Sequence, residues 1–167
     1  MIRLIHVNAS EGMEAVRSLF LEYADSLGFD LCFQDFDTEL ADLPGDYAPP
    51  GGRLILADCD GRRAGCIALR PLGEGICEMK RMYVRPRYRG RGIGKKLAEM
   101  IIAEARSIGY GRMRLDTVPS MTEAITLYRN LGFRRVAPYR HNPIAGALYF
   151  EHDLTGQKGP PDESTGS

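Results

Sequence analysis

The six residues Arg89-Gly90-Arg91-Gly92-Ile93-Gly94 join a run of strand character, residues 76–84, to a run in which Ile93, Leu97, Ile101, Ala105 and Ile108 recur at helical spacing up to Gly109. A strand that enters a helix through such a turn leaves the helix N-terminus open at the turn. That terminus presents unpaired backbone N–H groups and a partial positive charge, and residues without side chains let a phosphate reach them. The turn therefore reads as a diphosphate cradle. Two better-known glycine motifs do not fit it. A P-loop needs a hydroxyl after its lysine, and here Gly94-Lys95 is followed by Lys96. A dinucleotide-binding fingerprint needs a third glycine where this chain has Lys95, and a parallel βαβ unit where the preceding runs read as antiparallel.

The rest of the chain supplies a sheet for that unit. Residues 2–7 alternate as a first strand. Ser10 is placed to cap the following helix, with Glu11 and Glu14 in its first turn. Val16, Leu19, Phe20, Tyr23 and Leu27 form its apolar stripe, and Gly28 stops it. Residues 36–43 read as a shorter helix. Residues 54–57 and 64–69 flank the hairpin signal Asp60-Gly61, and a second turn at 71–75 leads into the strand at 76–84; these three antiparallel strands form the expected centre of the sheet. Further on, 113–116, 133–137 and 145–154 read as strands. Between the first two lies a helix carrying Ala124, Leu127, Tyr128 and Leu131, with Ser120 and Glu123 as a capping box and Gly132 as its stop. Residues 1–154 are expected to form one domain, and 155–167, almost without hydrophobes, a disordered tail.

At 167 residues, 44% hydrophobic and 26% charged, the chain has material for one buried core. No apolar run approaches the roughly 20 residues that span a bilayer, and the N-terminus is too short and too soon charged for a signal peptide. A cytoplasmic protein with no membrane partner is expected. The four cysteines, Cys32, Cys59, Cys66 and Cys77, show neither C-x-x-C spacing nor histidines at ligand spacing, so buried free thiols and no metal are expected.

The net charge of zero, from 22 basic and 22 acidic residues, conceals an asymmetry. No Lys or Arg lies between Arg17 and Arg53, a stretch holding Glu22, Asp25, Asp30, Asp35, Asp37, Glu39, Asp42 and Asp46. From Lys80 to Lys96 the balance reverses, with Lys80, Arg81, Arg85, Arg87, Arg89, Arg91, Lys95 and Lys96 and no acid. Fields of opposite sign suggest two different ligands. Nucleic acid is one reading of the basic run, but the run is confined to one turn, the pI is 6.8 and the interleaved aromatics are only Tyr83 and Tyr88. No nucleic-acid partner is expected.

The pattern R-x-x-G-x-G, within residues 79–94, resembles the GNAT superfamily of acyl-CoA-dependent N-acyltransferases. The later Ala124-Ile125-Thr126-Leu127-Tyr128-Arg129-Asn130-Leu131-Gly132-Phe133 is similar to that family's second hallmark. The resemblance covers about residues 1–154 and implies an α/β (α+β) fold: a mostly antiparallel central sheet of six or seven strands, splayed at the middle and flanked by about four helices. It implies acetyl-CoA as co-substrate and no metal. Its pyrophosphate would lie on Arg89, Gly90, Arg91, Gly92, Ile93, Gly94 and Lys95, and its pantetheine arm beside Met82, Tyr83 and Val84 at the splay. Many members carry Asn where this chain has Met121, which puts one pantetheine contact in doubt. Small members often dimerise, so a second copy of the chain is an implied partner.

Transfer to an amine needs a neutral nitrogen, an oxyanion donor and a proton for the departing thiolate. Tyr128 lies where the family often places that acid, although its helical stripe also suits a core aromatic. Glu78, on the strand before the splay, is the expected base, with Asp116 a second candidate; Lys80 and Arg81 offer Glu78 structural partners instead. The backbone N–H near Met82 or Val84 is the expected oxyanion donor. For the acceptor, Asp35, Glu39 and Asp116 would attract a cationic amine of a small molecule or peptide, unless the acids are merely solvated faces. Arg140, His141 and Asn142 would instead suit a carboxylate. A CoA-binding module without catalysis, and a nucleic-acid binder, are the competing classes.

Overall fold

The structure is a computed structural model that describes residues 1–7, 12–27, 35–140, 142 and 144–155. Ser10, Glu11, Gly28, Asp30, Cys32, His141 and the expected tail beyond Thr155 lie outside the described residues. The elements run β1 (Ile2–His6), α1 (Met13–Leu27), α2 (Phe36–Asp42), β2 (Arg53–Cys59), β3 (Arg62–Gly73), β4 (Ile76–Val84), α3 (Ile93–Ile108), β5 (Arg112–Thr117), α4 (Thr122–Asn130), β6 (Arg134–Val136) and β7 (Leu148–Asp153). One expected cap is corrected. Residue Met121, not Ser120, precedes the first turn of α4, and no side chain caps that helix.

The strands form one sheet in the order β1-β2-β3-β4-β5-β7-β6. Alternation along the central strands explains its two layers. Ile55, Ala57, Ile67 and Leu69 face one core with Leu97, Ile101 and Ala105 of α3, while Leu54, Leu56, Cys66 and Ala68 face the other with Val16, Leu19 and Phe20 of α1. The thiols of Cys59, Cys66 and Cys77 are free and buried.

Two irregularities prepare the site. Strands β4 and β5 run parallel but pair only at Ile76↔Arg112, Cys77↔Met113 and Glu78↔Arg114. Every other strand pair is antiparallel, so this short contact is the seam between a four-stranded and a three-stranded half. The second irregularity is a bulge in β4. Against β3 the register passes from Lys80↔Ala68 to Tyr83↔Cys66, so Arg81 and Met82 together oppose Ile67, and Arg81 takes a left-handed φ of 60°. The extra residue reverses the pleat: Met79 belongs to the α3 core, whereas Tyr83 belongs to the α1 core.

Candidate active site

The turn after β4 is shaped by its glycines. Gly90 and Gly92 have φ of 83° and 79°, a region that costs an L side chain about 1–2 kcal/mol, and a Cβ on either would meet no atom within 4 Å. Gly92 is the N-cap of α3 and brings no side chain to cap it, and among the described residues no cap hydrogen bond competes for the first amides of that helix. Arg89 donates from Nε to the Val84 carbonyl at 2.9 Å, tying the turn back to the end of β4.

From this turn a groove of about 730 Å³ runs between α3 and α4. Its lining includes Met82, Tyr83, Val84, Arg89, Gly90, Gly92, Ile93, Gly94, Met121 and Leu127. At Leu27, Met82 and Met121 the groove meets a narrow throat of about 40 Å³ that opens where β4 and β5 part. The throat crosses the sheet. Met79 and Leu115 come from the α3 side, and Lys80, Arg81 and Asp116 line it together with Tyr23 of α1 and Tyr128 of α4.

A long groove that starts at an open helix N-terminus and ends in a constriction where the two halves of the sheet part fits a thread-like ligand with a phosphate end and a reactive tip. Residues 13–133 match the acetyltransferase (GNAT) family. The chain belongs to the GNAT family of acetyltransferases. An uncharacterized N-acetyltransferase of Schizosaccharomyces pombe is 38% identical over 156 residues, covering 92% of this chain and 96% of its own. A GNAT-family acetyltransferase of Staphylococcus aureus superposes with a TM-score of 0.77 at 23% identity, over 92% of this chain and 99% of that one. The PaiA N-acetyltransferase of Thermoplasma acidophilum, solved with coenzyme A, superposes with a TM-score of 0.69 at 15% identity, over 92% and 99% of the two chains.

In this GNAT acetyltransferase the residues expected from sequence to hold the cofactor divide. Arg91 and Lys95 do not line the groove; Arg91 turns toward β2, where its Nη1 lies 3.5 Å from Cys59 Sγ and its guanidinium stacks on Tyr88. The others do line it. Tyr128 packs its ring on Phe133 and Phe150 and lines the throat. Burial, with the charge of Asp116 close by, raises its hydroxyl far above the usual phenol value, so it keeps its proton at any physiological pH.

Glu78 sits elsewhere. It is fully buried, and its carboxylate is held on both oxygens: Arg70 donates to Oε1 from Nε at 3.0 Å and Nη2 at 2.9 Å, the Tyr139 hydroxyl donates to Oε2 at 2.7 Å, and Arg140 Nη2 also bonds Oε2. Burial pushes this carboxyl up, but Lys80, Arg140, Arg70 and the Tyr139 hydrogen bond outweigh it and hold it below the ordinary value. It lines neither the groove nor the throat.

The acceptor-side acids also separate. Glu39 forms a two-pronged pair with Arg81, at 2.9 Å on each oxygen, while Arg81 stacks over Phe36 and Tyr23. Asp35 stands exposed before α2 and reaches neither cavity. Asp116 does line the throat, where its Oδ2 accepts from Asn142 Nδ2 at 3.2 Å.

Lys80 is the group that sequence reasoning did not assign to the site. Period-two alternation signals it, since Met79 points into the α3 core and its neighbour must face the other way. It lines the throat, 6% exposed. Burial and nearby Arg81 push its amine down to about 7, against the pull of Glu78. Among the described residues no helix is long and apolar enough to cross a membrane.

Proposed function

We propose that this enzyme passes the acetyl group of acetyl-CoA to a primary amine of a small molecule or peptide by direct attack across the sheet. The observation that carries the reading is the continuity of groove and throat at Met82, Leu27 and Met121. One end offers uncapped helix amides for an anion, and the other opens where the two halves of the sheet part.

When bound, acetyl-CoA supplies an activated thioester. The chain's own groups do the rest. The amides of residues 90–94 and Arg89 anchor the diphosphate, and the main chain at Met82 and Val84 holds the pantetheine arm and polarises the thioester carbonyl. The Tyr128 hydroxyl retains its proton until a thiolate departs, then donates it. Glu78, with every oxygen engaged, is proposed as an anchor for the loop bearing Tyr139, Arg140 and Asn142. Asp116 is proposed to meet the incoming amine and take its proton, directly or through water. Asp116 is the one throat-lining acid of the three first considered, so it carries the case for a cationic acceptor. Arg140 already holds Glu78 through Nη2, which weighs against it as the binder of an acceptor's carboxylate.

Calorimetric titration with acetyl-CoA and with free CoA tests the cofactor end, and about one site per chain is expected. A panel of polyamines and amino acids then tests the acceptor end, with turnover of polyamines expected. Inactivity on both classes would overturn both acceptor readings, and binding without turnover of any amine is the mark of the silent-module alternative.

A further inference from the structure

The chain has four lysines, Lys80, Lys95, Lys96 and Lys158. Lys95 and Lys96 are exposed on the first turn of α3, outside both cavities. Lys80 alone of the described three is carried into the throat, at the point where β4 leaves β5. The groups around it come from every neighbouring element: Glu78 and Arg81 on its own strand, Arg70 on β3, Asp116 on β5, Tyr23 on α1, Tyr128 on α4 and Arg140 from the loop before β7. Three of these are guanidiniums whose like charge disfavours an ammonium.

Such a lysine has the attributes of an acceptor. It is an alkyl amine, set where the groove delivers its ligand's tip, and a phenol that can carry a proton lines the same narrow throat. We propose that Lys80 is a self-acetylation site, which takes the acetyl group of acetyl-CoA when no acceptor amine fills the throat. The proposal rests on the acetyl-CoA reading above.

In the step, the Nζ lone pair forms the N–C bond to the thioester carbonyl and the C–S bond breaks. The nitrogen then gives up one proton, which Tyr128 relays to the CoA thiolate. The products are an uncharged amide on Lys80 and free CoA, so no further reactant is needed. The amide fixes Lys80 in an uncharged form beside Arg70, Arg81 and Arg140 and occupies a throat of about 40 Å³. The acetylated chain is therefore closed to external amines, a self-imposed brake that acts when acetyl-CoA is abundant and acceptor scarce.

The test incubates the full chain with acetyl-CoA alone and follows intact mass and lysine-by-lysine peptide mapping, with acetyl-CoA binding measured in parallel by calorimetry. One acetyl group per chain is expected on Lys80, forming at least about tenfold faster than on Lys95 or Lys96. Its rate should climb about tenfold per pH unit below about pH 7 and level off above it, as an amine losing its proton there requires. In Gly92→Glu, labelling of Lys80 should vanish while the slow chemical labelling of Lys95 and Lys96 persists; this control leaves Lys80 itself in place. Binding of acetyl-CoA with no mark on Lys80, or equal marking of all lysines, overturns the inference and leaves the acetyltransferase reading intact. Absence of binding overturns both.

Discussion

The two ends of the channel are built from different materials. The cofactor end is made of backbone: helix amides, two glycines in left-handed conformation and a strand edge, with Arg89 at its border. The acceptor end is lined by side chains, Arg81, Asp116 and Asn142 among them, and braced by others from distant segments that line neither cavity. Glu78 meets Arg70, Tyr139 and Arg140, Glu39 meets Arg81, and Asp116 meets Asn142. A backbone site tolerates change in neighbouring side chains but not a new side chain within it. A side-chain site tolerates no loss of a partner, because each buried charge depends on another.

Breaking the backbone end should have the largest effect. Gly92→Glu places a carboxylate in open space before the α3 amides, at the strained φ of 79°, and acetyl-CoA affinity should fall by at least on the order of 100-fold in calorimetry. Breaking the other end should unfold rather than unload the protein. Glu78→Gln leaves Arg70 and Arg140 without their counter-charge and should cost about 3 kcal/mol in urea denaturation, with acetyl-CoA affinity nearly unchanged. A large loss of cofactor binding in that variant would erase the distinction between the ends. At the junction, Tyr128→Phe should lower turnover of the best acceptor by on the order of 100-fold without altering cofactor affinity.

The last contrast is a slope rather than a loss. Lys80 is held near 7 in the fold and titrates near 10.4 when unfolded. Between about pH 7 and 10 the unfolded chain therefore carries a proton that the folded chain lacks, so this residue makes stability rise with pH, by up to about 1.4 kcal/mol per unit. Below the folded value the cost of its charge is felt in full. The difference between wild type and Lys80→Met, followed by thermal melts across that range, isolates this contribution from the buried thiols and phenols, which both proteins share.

The same contrast explains what was legible in the sequence. Residues 89–94 announce themselves because a strand, a glycine turn and a helix start are adjacent in the chain, and the second hallmark around Tyr128 is equally local. The strands are legible from alternation and the helices from their stripes. The Glu78 cluster is not, because Arg70 and Tyr139 lie 8 and 61 residues away and nothing in their own surroundings points to a buried carboxylate. The bulge at Arg81 leaves no glycine to mark its positive φ. Segmental charge misled in an instructive way. The acidic stretch and the basic stretch, read as fields for two ligands, in part neutralise each other, through Glu22 with Arg85 and Glu39 with Arg81. A linear charge pattern cannot distinguish a field offered to solvent from one spent on the fold.

The seam of three residue pairs between β4 and β5 has a mechanical consequence. A sheet normally shares load along whole ladders, but here the two halves meet like a hinge fixed at one end. A molecule lying in the open part of the V touches both leaves and acts as a keystone. With the channel filled, β5 and β7 should exchange their amide protons in step with β3 and β4, as one cooperative body. Emptied, the two leaves should open at different rates, and the occupant that the enzyme is built to consume would also be what makes it whole.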